Sequence, residues 1–396
     1  MPRILHLASQ NYGPQLEFVR AHRRMGNKSL LVTMAPSRYG HADELCLNYP
    51  LLGSRPIFSL KRLARWERLR YGWRPGTEVK TLRRWEPRDP AGRSFYRFRD
   101  RLWMGKLTEV WDSHGLADYD IYQLDGGVCF IFGDEVLSRL KGAGKKIVTM
   151  YYGSDLRLRG AIPAVEEASD LSLTCEFDHL ALYPRLRYLF LPFDSSQCRR
   201  IREEVRPDAA RPTAVSTLSG EAGGVVPGPP RLRICHSPTA RQFKGSDVII
   251  DVVRRLERRF DVELVLIENM PHRDALRLKA TCDLAIEQVG NRAGTGYGVN
   301  SLETLAMGIP TCTDMTDEYE EFVPDHPFVR VDGRSLESQL VTLIEDEDLR
   351  RRKGAEGREW VERRHDPLSV VWELYRLYRE HGVLFEGKDG GQEGAR

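Results

Sequence analysis

The sequence predicts an α/β protein built from two Rossmann-like, doubly wound units, and three observations carry that expectation. The chain has 396 residues, more than one ordinary domain of roughly 100–200 residues needs. Short β-branched runs alternate with amphipathic segments in both halves, the pattern of strand, crossover helix and parallel strand. Between the halves, 203–230 gathers Pro207, Pro212, Gly220, Gly223, Gly224, Pro227, Gly228, Pro229 and Pro230 with neither periodicity, so it reads as a linker. The expected organisation is a first unit at 1–202 with a basic, aromatic insertion near 55–105, the linker at 203–230, and a second unit at 231–366. A terminal helix at 367–387 follows, for which packing back on the first unit is one option, and then a disordered tail at 388–396.

In the first unit Ile4, Leu5 and Leu7 form a strand, and Gln10, Asn11, Tyr12, Gly13 and Pro14 form a loop. Leu16, Val19 and Met25 mark a helix that Gly26 and Asn27 end, and 29–33 is the next strand. A right-twisted strand feeding a right-handed crossover makes that second strand parallel to the first. A strand at 121–124, a helix near 135–140 and a strand at 146–150 repeat the unit. The second half begins with a strand at 232–235 and a helix near 245–258, whose Val248, Ile249, Val252, Val253 and Leu256 share one stripe. A strand at 262–267, a helix near 273–279, a strand at 284–286, a helix near 298–307 and a strand at 309–312 complete it. Val370, Val371, Leu374, Leu377 and Tyr378 give the terminal helix its apolar face, whereas the glycine- and charge-rich end has none. Open parallel sheets bind ligands beyond the carboxyl ends of their strands, so the two units are expected to face a cleft that holds the site.

Hydrophobic residues at 41% and charged residues at 30% are ordinary globular values and exclude wholesale disorder. No apolar run approaches the roughly 18–20 residues of a membrane span, and the first residues turn polar too soon for a signal peptide, so a soluble cytoplasmic protein is expected. Seven cysteines, Cys46, Cys129, Cys175, Cys198, Cys235, Cys282 and Cys312, never form a C-x-x-C pair, which points to neither a disulfide framework nor a zinc site. The net charge of +3 hides a basic stretch from Lys61 to Arg101, in which arginines interleave with Trp66, Trp73, Trp85, Phe95, Tyr96 and Phe98. That composition suits the inner face of an anionic membrane or an acidic, lipid-linked acceptor. It equally suits nucleic acid, which ranks last because no nucleic-acid module is present, or an insertion whose aromatics pack while its arginines stay solvated.

The strongest constellation for chemistry follows the strand at 232–235. His236, Ser237, Pro238, Thr239, Ala240, Arg241, Gln242, Phe243, Lys244 and Gly245 place a guanidinium and an ammonium where a strand hands over to a helix. Arginine grips phosphate bidentately, lysine acts as a point charge, and a helix start offers free amides, so the pair suits a diphosphate. A second turn, Gly294, Thr295, Gly296, Tyr297 and Gly298, runs into a helix with Val299, Asn300, Ser301 and Glu303. Its glycines let backbone approach an anion, and Glu303 can accept from ribose hydroxyls. The pairs Asp118/Asp120 and Asp346/Asp348 sit before a strand and in a charged helical stretch, so no metal is assigned. His114, His179 and His365 have no partner legible in the sequence, and Asp155 fits a turn as well as a reactive carboxylate.

Taken in order, Arg241 to Lys244-Gly245, Gly296-Tyr297-Gly298 to Glu303, and Ala306-Met307-Gly308-Ile309-Pro310 resemble the donor half of retaining family-four glycosyltransferases of the GT-B fold. In the first unit Asp118-Tyr119-Asp120-Ile121-Tyr122, Lys145-Lys146-Ile147-Val148 and Tyr151-Tyr152-Gly153-Ser154-Asp155-Leu156-Arg157 look like the acceptor-side counterparts. The resemblance implies a nucleotide-sugar donor, with Arg241, Lys244, Gly296, Tyr297, Gly298 and Gly13 at the diphosphate and Glu303 at the ribose. It implies Thr295, Val299, Asn300 and Ser301 in the loop facing sugar and phosphate, and Tyr152 and Asp155 as the catalytic positions. The acceptor would be a glycan, a lipid-linked or a small molecule, and no cofactor beyond the donor would be needed. Three features depart from the family pattern: Thr295 stands where its two-glutamate motif has the first acid, Tyr152 stands where it has a histidine, and its arginine lies further upstream of the lysine than Arg241 does. A nucleotide- or glycan-binding relative that has lost transfer is therefore the second reading.

Overall fold

The computed structural model describes residues 1–37, 40–50, 52, 81–87, 90–206, 231–290, 294 and 296–384. Most of the linker, the tail, Thr295 and the basic stretch as far as Lys80 lie outside the described residues. The chain divides into two compact units, 1–194 with 364–396 and 195–363. The helix Ser196–Val205 belongs to the second unit, so that unit begins ahead of the Pro/Gly-rich segment rather than after it.

The first unit is a seven-stranded sheet: β1 (Arg3–Ala8), β2 (Lys28–Thr33), β3 (Leu45–Cys46), β4 (Ile121–Asp125), β5 (Lys146–Tyr151), β6 (Leu171–Thr174) and β7 (Leu186–Tyr188). All pairings are parallel, in the order β3-β2-β1-β4-β5-β6-β7. Alternation along the strands divides the core. Leu5, Leu7, Tyr122 and Leu124 face one way, against Trp103, Leu107 and Val110 of the helix Pro90–Ser113. Ile4, Ile121, Val148 and Met150 face the other way, against Phe18 of the helix Pro14–Arg24 and Val370, Val371, Leu374 and Tyr378 of the helix Pro367–Glu380. The latter two helices are also tied by polar contacts, since Tyr375 Oη lies 2.7 Å from His22 Nδ1 and accepts from Asn27 at 2.8 Å.

The second unit has a five-stranded parallel sheet: β8 (Leu232–His236), β9 (Val262–Leu266), β10 (Leu284–Ile286), β11 (Thr311–Thr313) and β12 (Val329–Arg330), ordered β12-β11-β10-β8-β9. The striped helix spans Ser246–Leu256 and buries Ile249, Val252, Val253 and Leu256 against Ile234, Val262 and Leu284. Leu336, Leu340 and Leu343 of the helix Leu336–Glu345 join the same cluster.

Candidate functional site

Both sheets are doubly wound, and in each the winding reverses between two neighbouring strands, where the loops leave in opposite directions and open a crevice. In the second unit those strands are β8 and β10, paired through Ile286 and His236. The loop after β8 contains the short helix Arg241–Lys244 and then Gly245 at φ 64°. A Cβ on Gly245 would stand 2.0 Å from the Val289 carbonyl oxygen, so only glycine lets this turn lie against the loop after β10. The Val289 amide donates to the Lys244 carbonyl at 3.1 Å and ties the two loops together.

That juncture gathers a polar network. Lys244 Nζ donates to Glu287 Oε1 at 2.5 Å and to Gln288 Oε1 at 3.0 Å. Ser301 Oγ donates to Glu287 Oε2 at 2.8 Å, and Gln288 Nε2 donates to the carbonyls of Gly294 and Gly296 at 3.0 and 3.2 Å. Burial pushes the Glu287 carboxyl up, but the Lys244 ammonium and the hydrogen bonds from Lys244 and Ser301 outweigh it and hold the group below its ordinary range. Lys244, the glycine turn and the first turn of the helix Val299–Ala306 are thus one connected unit. Gly296 at φ 96° presses against Tyr319, whose ring a Cβ would meet at 2.2 Å. Tyr297 stacks on Phe328 at 5.0 Å and meets Trp360 edge-on at 5.3 Å, which fixes the turn from its far side. Gly298 begins the helix in extended conformation, and its carbonyl accepts from the Ser301 and Leu302 amides. The Gly298, Val299 and Asn300 amides therefore lie at a helix start, where donors have no intrahelical acceptor.

Two expected residues are placed differently. Arg241 is exposed and makes a bidentate pair with Glu268, at 2.8 and 2.6 Å, instead of joining the Lys244 network. Glu303 is 3% exposed, with one carboxylate oxygen 2.7 Å from His272 Nε2 and the other accepting from the buried Lys279 ammonium. Burial raises its pKa, and Lys279 and His272 more than reverse that, holding it at about 2. Lys279 also donates to Asn300 Oδ1 at 2.6 Å, and Asn300 donates to the Ser237 carbonyl at 2.9 Å, so Glu303 braces the loop after β8 and the start of the helix Val299–Ala306.

In the first unit the winding reverses between β1 and β4. Gly13, at φ 108°, begins the helix Pro14–Arg24 after β1, with its amide donating to Asn11 Oδ1 at 2.9 Å. Asp125 ends β4, is 2% exposed, and accepts from the Tyr152 hydroxyl at 2.5 Å and from Gln123 at 3.1 Å, with His6 Nδ1 at 3.2 Å from its other oxygen. Burial and the Asp125 charge push the Tyr152 hydroxyl well above its usual pKa, so it is a neutral donor and acceptor. Asp155 accepts from the Tyr152, Gly153 and Leu156 amides at 2.8–2.9 Å and shapes the turn that presents Tyr152. Sequence reasoning missed Glu287, Gln288, Lys279, His272 and Asp125. Asp125, Glu287 and Gln288 stand at the carboxyl ends of strands beside a winding reversal, and that position was the signal available.

The fold is of the GT-B type, with two doubly wound α/β units. No protein-family model and no curated protein sequence matches the chain. Among solved structures it is similar to sucrose-phosphate synthase of Thermosynechococcus elongatus, with a TM-score of 0.56 and 11% identity over 96% of this chain and 99% of that one. It is similar also to HepE of Anabaena in complex with UDP-glucose, with a TM-score of 0.52 and 13% identity over 96% and 100%. A Listeria monocytogenes protein assigned as a UDP-N-acetylglucosamine 2-epimerase matches with a TM-score of 0.50 and 11% identity over 98% and 99%. At such identities the likeness establishes the fold, and function has to be argued from the site.

Proposed function

We propose that the protein is a glycosyltransferase that moves a sugar from a nucleoside-diphosphate sugar to a glycan, lipid-linked or small-molecule acceptor held by the first unit. The observation that carries this reading is the linkage of Lys244 through Glu287 and Gln288 to the glycine turn and the start of the helix Val299–Ala306. One fixed ammonium and a row of helix-start amides at a winding reversal is an arrangement suited to a diphosphate. Arg241 adds a second cation by exchanging Glu268 for phosphate, at little cost because an exposed ion pair contributes only about 0–1 kcal/mol. Glu303 is assigned to the ribose and Gly13 to the donor phosphate on the motif resemblance alone. Likeness in fold to a protein crystallised with UDP-glucose agrees with this donor class.

As the bond from the anomeric carbon to the diphosphate breaks, negative charge grows on the leaving phosphate. Lys244, Arg241 and the amides oppose that charge without a metal. Tyr152, held by Asp125 and presented by the Asp155 turn, offers a neutral hydroxyl to the transferring sugar or its acceptor. Retention of anomeric configuration and membership of family four rest on the motif resemblance. A peripheral contact at the inner membrane face is supported by the helix Pro90–Ser113. Phe95, Phe98 and Leu102, at i, i+3 and i+7, are 49%, 57% and 42% exposed along its outward side. Among the described residues no helix is long and apolar enough to cross a membrane. The second reading, nucleotide or glycan binding without transfer, is favoured by threonine at 295 and tyrosine at 152.

Calorimetric titration with a panel of nucleoside diphosphates tests both readings. Binding that Lys244→Ala weakens about tenfold or more is expected, and no binding to any member refutes both. Slow release of free sugar from the bound donor without acceptor separates the enzyme from the binder.

A further inference from the structure

The first unit contains a cavity of about 750 Å³ that the donor chemistry does not use, within the roughly 300–1,000 Å³ range of small-molecule sites. One wall is the helix Pro90–Ser113, on which Arg93, Arg97 and Arg101 recur every four residues and so share a face. A second part of the lining carries Asp134 and Glu135 at the start of the helix Glu135–Gly142. Glu86 closes a third side, on a segment pinned by the Trp85 amide donating to the Ala161 carbonyl at 2.7 Å. Tyr96 and Phe132, with ring centroids 5.1 Å apart, supply the aromatic surface between the walls. None of these six charged side chains forms an ion pair or a side-chain hydrogen bond among the described residues.

The acids have a local explanation, since a helix start favours negative charge. The arginines have none, because like charges one turn apart repel. A simple anion would meet the acidic wall and a simple cation the basic one. A phosphate group against the arginines, joined to a ring whose hydroxyls donate to the carboxylates and whose C–H face lies on Tyr96 and Phe132, satisfies every wall. We infer that this cavity binds a phosphorylated saccharide, either free or esterified to an apolar chain. The inference deepens the transfer reading, on which it rests only for the ligand's role: the bound sugar phosphate is then the acceptor.

Titration of the full-length protein with glucose 1-phosphate tests the site. The expected result is binding that Arg97→Glu weakens tenfold or more, that Arg101→Gln weakens severalfold, that Asp134→Asn with Glu135→Gln weakens severalfold, and that Lys244→Ala leaves unchanged. Both arginines are exposed, and circular dichroism with a UDP titration is the check that the variants stay folded. The octyl phosphodiester of glucose forms a second arm: tighter binding than glucose 1-phosphate assigns the lipid-linked form, equal or weaker binding the free one. The inference is overturned if a protein that binds UDP shows no binding of either probe. It is also overturned if inorganic phosphate binds as tightly as glucose 1-phosphate, or if Lys244→Ala rather than Arg97→Glu abolishes the signal. Failure of every nucleoside diphosphate with retained, Arg97-dependent glucose 1-phosphate binding would remove the transfer reading and leave this site standing.

Discussion

At the scale of single residues, the two cations assigned to the diphosphate sit in opposite electrostatic situations. Lys244 is 18% exposed and its partner Glu287 is 3% exposed, so removing the ammonium strands a buried carboxylate, a loss that costs about 3–5 kcal/mol in pairs of this kind. Arg241 is 55% exposed beside Glu268, and its removal costs less than about 1 kcal/mol. Urea unfolding is therefore expected to show Lys244→Ala as strongly destabilised and Arg241→Ala as close to the parent, although both weaken UDP binding about tenfold. The double variant Lys244→Ala/Glu287→Gln is expected to recover part of the lost stability and none of the binding. Recovery of binding in that variant would mean that Lys244 serves Glu287 alone.

At the scale of elements, the glycine turns separate backbone necessity from proximity to a ligand. Gly245→Ala would force a Cβ onto the Val289 carbonyl at positive φ, and Gly296→Ala would force one into Tyr319. Each is expected to lower the urea midpoint by an amount worth about 2 kcal/mol or more. Gly298 is extended, and a Cβ there meets Glu287 at 3.5 Å, an ordinary contact, so Gly298→Ala should keep stability and disturb nucleotide binding alone. The helix Pro90–Ser113 carries a different expectation: replacing Phe95, Phe98 and Leu102 with serine should abolish sedimentation with anionic vesicles and leave the melting temperature within about 2 °C. Retained sedimentation would count against membrane contact through this helix. These elements also show how far local pattern reaches. The helix Ser246–Leu256 was legible because one stripe faces the core and the opposite side is polar. The helix Pro90–Ser113 was not, because apolar residues on its outward side erase the period that burial of Trp103, Leu107 and Val110 would otherwise write. The helix Glu347–Arg364 was legible only as a charged helical stretch around Asp346 and Asp348. It packs through Gly354 against the Gly308 backbone and Gly357 against Leu305, and small residues chosen for close approach leave no hydrophobic signature. Strands β3 and β12, two residues each, exist only through their neighbours' pairing. Within the site, Lys244 and the glycine turn were readable because charge and glycine cluster in loops. Glu287 and Asp125 were not, since one acidic residue after a short strand looks like surface until the sheet order places it at a winding reversal.

At the scale of the whole molecule, the titratable groups buried in the two units give them different responses to acid. The first unit encloses His22, His179 and His365, which are 0%, 0% and 1% exposed. Burial pushes the pKa of His179 and of His365 from 6.5 down to about 4. For His22, burial and the neighbouring His6 push it well below 6.5. A depressed histidine is neutral in the folded chain and becomes charged more readily in the unfolded one. Its contribution is complete above pH 6.5 and is lost as the pH falls through the window from 6.5 to about 4. A shift of that size is worth on the order of 3 kcal/mol for each of His179 and His365, and the two together approach the roughly 5–15 kcal/mol that holds a typical fold. In the second unit burial also lowers the pKa of His236 and of His326, and Glu303 is held at about 2, so its contribution is complete above pH 4.5 and lost only as the pH falls towards 2. Calorimetric melting between pH 7.5 and 3.5 is therefore expected to split into two transitions, of which the one of the first unit, with two histidines driven down to about 4, drops more steeply below pH 6.5 than the one of the second. Bound UDP should raise only the later transition if, as proposed above, the donor binds the second unit. Replacing His365 with glutamine should flatten the slope of the earlier one between pH 6.5 and 4. A single transition whose midpoint stays constant from pH 7 to 4.5 would show that these histidines are solvated or already charged in the native protein.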